Sequence, residues 1–321
     1  MNAFALPPLS TRPEVSVVIP LFNASRFIGA ALDSVLNQTY PVKEIVIVDD
    51  GSTDHPEVSL KPYADKIRYL QTANRGPGSA RNLGAKHCSA PLIAFLDADD
   101  QWEADKLEKQ IQALVGQNAA LCYCGRTEVG AEGEFIGEFA QSEYPQGAIL
   151  ERLIEENHIS TSSVVVMRKD IFDRLGGFKE STKLSISEDF ELWCRIAAQY
   201  KIAAVKEPLV RYRLHEGNIT RNNVKGYIGK IAALESLRGW LESTGLLDTR
   251  RDAVIREKLS TTHLHYAWGF AQGGDYLNAK KAIENYVCSS ARALPLKLKF
   301  VRAAPVSALA LLHRVKRVVL R

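Results

Sequence analysis

Paired cysteines are missing from this chain. Five cysteines stand among 321 residues, an odd number with no paired spacing. Cys122 and Cys124 form a lone C-x-C without the second pair or the histidines that a zinc site needs. A disulfide scaffold and a zinc module are therefore excluded, and buried thiols in a reducing, cytoplasmic compartment are expected. Long apolar runs are missing as well. No stretch approaches the ~18 apolar residues that cross a bilayer; the longest weakly apolar one, near 303–312, contains Pro305. The segment Met1-Asn2-Ala3-Phe4-Ala5-Leu6-Pro7-Pro8 has no basic n-region and breaks at prolines, so no signal peptide is expected. An excess of one charge is also absent. The formal net charge is +4, and no basic patch interleaved with aromatics occurs in the first two hundred residues, so nucleic acid is not an expected partner. What remains is an ordinary globular composition, 46% hydrophobic and 24% charged, long enough for one large domain or two.

Against that background one feature stands out. Asp97-Ala98-Asp99-Asp100 follows directly on the apolar run Pro91-Leu92-Ile93-Ala94-Phe95-Leu96. A short run of this kind reads as a buried strand, which delivers three carboxylates to its C-terminal end, where open α/β sheets bind ligands. Clustered carboxylates repel one another unless a hard cation takes their oxygens. Mg²⁺ or Mn²⁺ held by one or two carboxylates plus substrate phosphates is the expected species. The competing reading is an acidic turn that caps a helix starting near Trp102.

Around this cluster the chain alternates. Val15–Pro20, Glu44–Val48 and residues 67–71 read as strands, the first ended by Pro20. Between them, 26–38 carries Phe27, Ile28, Leu32, Val35 and Leu36 at helical spacing, with Ser25 as its N-cap. The acidic turn Asp49-Asp50-Gly51-Ser52-Thr53-Asp54 follows the second strand. The loop Asn74-Arg75-Gly76-Pro77-Gly78 feeds a helix over 79–87. Such alternation predicts a right-handed, largely parallel α/β sheet. Further strands are expected at 119–127 and 162–167, a helix at 188–199, and a strand pair or extended segment at 203–212. From about Val224 strand signals stop, and helices are expected over 226–244, 252–272, 275–287 and 308–319. The expected division is an extension over 1–13, an α/β domain over 14–222 and a helical region over 223–321, through which the chain can oligomerise.

Six segments, in order, resemble the motifs of family 2 glycosyltransferases of the GT-A fold. They are Val18-Ile19-Pro20-Leu21-Phe22-Asn23, Ile47-Val48-Asp49-Asp50-Gly51-Ser52-Thr53-Asp54, Gly78-Ser79-Ala80-Arg81-Asn82-Leu83-Gly84, Phe95-Leu96-Asp97-Ala98-Asp99-Asp100, Ser187-Glu188-Asp189-Phe190-Glu191-Leu192-Trp193 and Arg211-Tyr212-Arg213-Leu214-His215. The resemblance covers roughly residues 14–220. It implies a Rossmann-like, mostly parallel sheet flanked by helices, and an inverting transferase that uses a nucleotide-sugar donor, with a UDP-sugar favoured.

The resemblance also implies roles. Pro20, Phe22, Asn23, Asp50, Asn74, Arg81, Asp97 and Ala98 would line the donor site. Asp50 can accept a base N–H, and a guanidinium such as that of Arg81 matches diphosphate oxygens, although an ordinary ion pair on a helix surface explains Arg81 as well. Asp99 is the first choice for metal contact, with Asp100 and His215 as further ligands; a lone histidine is also often structural. Asp189 is the expected general base, with Glu188 orienting it or binding acceptor. Acidic residues also suit the first turn of a helix. Trp193 would stack on an acceptor sugar or belong to the core, and Gly176-Gly177-Phe178 would shape the acceptor wall. A single base opposite the leaving group implies inversion. A sugar-phosphate nucleotidyltransferase would carry a Gly-rich basic loop after the first strand, which Leu21-Phe22-Asn23-Ala24-Ser25 is not. An inactive nucleotide-binding or scaffolding protein would have lost carboxylates that this chain keeps.

The segment from Asn285 onward has Arg292, Lys297, Lys299, Arg302, Arg314, Lys316, Arg317 and Arg321 and no acidic residue. Apolar residues interleave these charges. It reads as a basic amphipathic helix that lies on an anionic membrane surface, or docks on the helical region. Membrane contact at the inner face of the cell membrane would suit a glycan or lipid-linked acceptor.

Overall fold

The computed structural model describes residues 6–139, 141, 143–184, 186–217, 223–289 and 293–310. The chain divides into two compact units, Met1–Asn218 and Ile219–Arg321.

In the first unit, β1 (Val15–Leu21), β2 (Glu44–Asp49), β3 (Arg68–Gln71) and β4 (Leu92–Phe95) pair side by side in the order β3-β2-β1-β4, all parallel. β1, β2 and β4 are Val/Ile/Leu-rich and buried nearly throughout, as strands covered on both faces must be. Helix α1 (Ile28–Leu36) buries Ile28, Ala31, Leu32 and Val35, one helical face. The short helix α2 (Pro56–Leu60) follows β2. Helix α3 (Pro77–Lys86) packs so closely on the sheet that a Cβ on Gly84 would meet Val18 Cγ1 at 2.5 Å.

Beyond β4 the sheet becomes mixed. β8 (Val165–Arg168) is antiparallel to β4, and β6 (Leu121–Val129) antiparallel to β8. β9 (Ile202–Arg213) runs parallel to β6 and carries the two-residue β5 (Gln101–Trp102) on its far side, while β7 (Phe135–Glu138) pairs with β6. Helices α4 (Lys106–Gly116), α5 (Leu150–Glu155), α6 (Lys169–Arg174) and α7 (Glu188–Ala197) complete the unit. The strands of the first hundred residues thus form the parallel sheet expected of them.

Several local expectations need correction. β1 runs through Pro20 to Leu21, because Pro20 forms part of the parallel register with Val48. Ser25 caps nothing: α1 has no side-chain cap, and the Ser25 amide instead donates to Asp54 Oδ2 at 2.8 Å. No helix starts at Trp102, which lies in β5; α4 begins at Lys106. Residues 162–164 form a 3-10 turn, with the strand only from Val165. The segment around 203–212 is one twelve-residue strand, its pairing with β6 broken by register shifts at Gly125.

The second unit is helical among its described residues: α8 (Asn223–Ser243), α9 (Thr249–Gly273), α10 (Tyr276–Ser289) and α11 (Leu296–Ala303). Asp248 caps α9 by accepting the Arg251 N–H at 2.8 Å, and Gly274 ends it at φ +82°. Ala267, Phe270, Ala279, Ala282, Ile283 and Leu298 pack into its core. The helix expected over 308–319 lies mostly outside the described residues. Among those residues no helix is long and apolar enough to cross a membrane.

Candidate active site

The site is assembled where the parallel strands end. The loops after β1 and β2 are laced together. Asp50 N–H donates to Leu21 O, Asn23 N–H to Ser52 Oγ at 3.0 Å, and Thr53 N–H to Asn23 Oδ1 at 2.8 Å. Asp50 is buried, and its two carboxylate oxygens accept the amides of Arg75 and Gly76, each at 2.8 Å. Burial pushes its carboxyl up, partly offset by those amides. Asp50 therefore moors the Asn74–Gly76 loop. Gly51, at φ +80°, lets that loop approach, since a Cβ there would stand 3.0 Å from Asn74 N. Asn74 and Phe22 are exposed at the mouth, while Pro20 is half-buried in β1.

On the other side of the same edge, Arg81 from α3 is buried between two carboxylates. Nη2 donates to Asp97 Oδ1 at 2.6 Å and Nη1 to Glu188 Oε1 at 2.9 Å. The guanidinium is thus not the surface ion pair that was the competing expectation. It joins the end of β4 to the start of α7. Asp189, next along α7, stays partly exposed, and its Oδ1 accepts the Phe190 N–H at 2.6 Å. Burial, with the neighbouring Glu188 charge, pushes the Asp189 carboxyl up to about 7, while Arg81 pulls the other way. Glu188 is itself buried and raised by burial, and its Oε2 has no hydrogen-bond partner among the described residues.

The three carboxylates after β4 diverge. Asp97 Oδ2 accepts from Thr161 Oγ1 at 3.1 Å, and Ala98 is buried. Asp99 remains partly exposed and faces His215, Oδ2 to Nε2 2.9 Å. Gly217 N–H donates to His215 Nδ1 at 3.1 Å, which in the metal-free chain leaves the ring proton on Nε2, facing Asp99; to take a cation at Nε2 the ring shifts that proton to Nδ1 and gives up the Gly217 contact. Asp100 is buried, with Oδ2 accepting from Ser163 Oγ at 2.6 Å and Oδ1 from the Arg213 N–H at 3.1 Å. Burial and the adjoining Asp99 and Asp97 hold its carboxyl well above the ordinary range. Both of its oxygens are taken by protein donors, which argues against a ligand role.

The family 2 glycosyl transferase model matches residues 16–176, which span the loops just described. The chain belongs to glycosyl transferase family 2. A similar relative is the Escherichia coli UDP-Glc:alpha-D-GlcNAc-diphosphoundecaprenol beta-1,3-glucosyltransferase WfgD. It is 33% identical over 215 residues, which are 66% of this chain and 81% of the relative. The chain spans only about a third of the length of two further curated relatives, both named as uncharacterized glycosyltransferases. Among solved structures, S. aureus TarS 1-349 in complex with UDP-GlcNAc has a TM-score of 0.67 at 18% identity, covering 95% of this chain and 91% of that one. The mannosyltransferase PcManGT from Pyrobaculum calidifontis in complex with GDP-Man and Mn2+ has a TM-score of 0.57 at 16% identity, covering 99% and 90%. At these identities the likeness is one of GT-A fold.

For this family 2 chain, Trp193 requires correction. It is completely buried and meets Phe178 edge-on at 5.7 Å, so it offers no face to a sugar. Asn82 holds Phe178 at both backbone atoms, 2.7 Å and 2.9 Å, and a Cβ on Gly177 would strike Asn82 Oδ1 at 2.5 Å. Three residues that the sequence reading gave no role emerge at the site: Thr161, Ser163 and Arg213. Their signal was slight, a hydroxyl-rich stretch (Thr161-Ser162-Ser163) ahead of an apolar run and a second arginine beside His215. Asp99 and His215 supply one carboxylate and one imidazole donor in contact, a set that fits a divalent cation completing its shell with phosphate oxygens. Among the described residues no group of three His, Cys, Asp or Glu converges to hold a metal alone.

Proposed function

We propose that this chain transfers a sugar from a nucleotide-sugar donor to a hydroxyl of a glycan or lipid-linked acceptor, with inversion at the anomeric carbon. The observation that carries the reading is Asp189. A partly exposed carboxyl raised to about 7, beside a buried Glu188–Arg81–Asp97 network, suits a general base at neutral pH. Likeness to a relative named for UDP-Glc supports a UDP-sugar donor, and its diphosphoundecaprenol acceptor supports a lipid-linked one.

In this reading the Asp50-moored loop and the Asn23–Thr53 lacing form the nucleotide cradle, with Phe22 and Asn74 at its mouth. Asp99 and His215 would hold Mn²⁺ or Mg²⁺, which would neutralise charge on the departing nucleoside diphosphate. Asp97 receives the ribose side, its own charge balanced by Arg81. Asp189 takes the proton from the acceptor hydroxyl as the bond to the anomeric carbon forms on the face opposite the leaving group. Glu188 fixes the base through its own tie to Arg81. The basic, acid-free segment from 285 onward would place the protein against an anionic membrane, where a lipid-linked acceptor resides.

The test is transfer from UDP-glucose and UDP-GlcNAc, with Mn²⁺, to an undecaprenyl-diphosphate-linked sugar, with the new linkage read by NMR. Formation of a β-linked product from an α-linked donor supports the reading. Retention of configuration, or nucleotidyl rather than glycosyl transfer, refutes it.

A further inference from the structure

Asp99 and Asp100 are chain neighbours with opposite fates, and the difference lies in what grips Asp100. The Ser163 hydroxyl accepts the Asp97 N–H at 3.0 Å and donates to Asp100 Oδ2 at 2.6 Å. The second oxygen of Asp100 accepts the Arg213 amide. Arg213 then grips the same loop with its side chain, Nε donating to the Asp99 carbonyl at 2.9 Å, and is itself held by the turn between β6 and β7, where Nη1 donates to Ala131 O at 2.9 Å. His215 follows two residues on. The Phe27 ring centre lies 5.0 Å from both the Arg213 guanidinium and the His215 ring, bracing them from one side. The loop after β4 and the end of β9 are thus locked to each other, and Asp99 meets His215 as a result.

We propose that Asp100, Ser163 and Arg213 are positioning residues that fix Asp99 against His215 as a preformed two-donor seat for a divalent cation, with Asp100 the keystone of that seat and not one of its ligands. The inference rests on the cation role proposed above. Two donors hold a hydrated cation weakly, so their mutual placement carries much of the affinity. Groups that orient ligands from behind commonly change metal affinity by about 10–100-fold. All the holding groups here are buried, so the placement exists before any ligand arrives.

The test uses the full chain and two readouts. One is Mn²⁺ binding at saturating UDP, followed by the EPR signal of the free ion. The other is the set of His215 ring resonances in the metal-free, histidine-labelled protein. Ser163→Ala should weaken Mn²⁺ by about 10–100-fold and move the His215 resonances. Asp100→Asn should leave both near the parent, because the new amide still accepts from Arg213 and can donate to Ser163 Oγ. A loss with Asp100→Asn as large as that with Asp99→Asn would make Asp100 a ligand and overturn the inference. So would a Ser163→Ala protein with unchanged affinity and unchanged resonances. If Ser163→Ala does not fold, Arg213→Lys carries the same expectations, since it keeps the amide contact and loses the guanidinium ties. If the parent binds no Mn²⁺ with UDP, the cation reading falls by itself, and the His215 resonances still decide the positioning claim.

Discussion

Replacing Asp189 by asparagine separates catalysis from stability in opposite directions. Loss of a positioned base should lower turnover by roughly 10²–10⁴-fold, or about 3–5 kcal/mol of barrier, with donor binding retained because Asp189 lies across the Arg81 network from the nucleotide loops. Stability should move the other way. The folded carboxyl sits near 7 against an ordinary 3.8, raised first by burial and then by Glu188. Between those values the folded chain binds more protons than the unfolded one, so this group's contribution falls as pH rises through 3.8–7 and is a net cost above 7. The shift alone caps that cost at about 4 kcal/mol, and the water reaching a partly exposed group reduces it to about 1–2. Asp189→Asn should therefore unfold at higher denaturant than the parent at pH 7.5, and the difference should vanish near pH 4. The parent rate should fall tenfold per unit below about pH 7. The assays are transfer kinetics against pH and urea unfolding at the two pH values. An inactive variant that is also less stable at pH 7.5 would refute the argument, because Asp189 would then be holding the fold.

Asp99→Asn should abolish transfer while leaving thermal unfolding unchanged, and chelator should inhibit the parent; full activity in excess chelator contradicts the cation assignment. Gly84→Ala should cost about 1–3 kcal/mol by overpacking against Val18, measured by urea unfolding, and a neutral effect would mean the α3–β1 contact is looser than 2.5 Å implies. Deleting residues from 311 onward, which keeps Leu309 in the core of the second unit, should release the protein from anionic vesicles and leave donor hydrolysis intact; vesicle binding unchanged by the deletion would refute the membrane reading.

The parallel half of the sheet was readable because β1, β2 and β4 are short apolar runs between turn-forming residues, and α1 repeats its apolar face at helical spacing. β9 was not, because Lys206, Glu207 and Pro208 interrupt it and its continuity comes from pairing with β6. The two residues of β5 are too few for any pattern. At the site, the residue types after β4 were legible but their directions were not. Asp100 turns inward because Ser163 and Arg213, 63 and 113 residues later, receive it. Trp193 has the same spacing whether it faces a sugar or the core, and Phe178 decides the matter. Arg81 read as a donor-site arginine or a surface ion pair on a helix; only the fold brings Asp97 and Glu188 to it.

Arg81 meets Asp97 sixteen residues away and Glu188 one hundred and seven residues away, on opposite sides of the site. One guanidinium thus serves as counter-ion to two carboxylates that, in the proposed reaction, stand on the donor and the acceptor side. Removing the Asp97 charge would leave Arg81 wholly to Glu188, and so retune Asp189, the proposed base beside it. With the roles proposed above, a substitution on the donor side is expected to couple energetically to the acceptor side through Arg81.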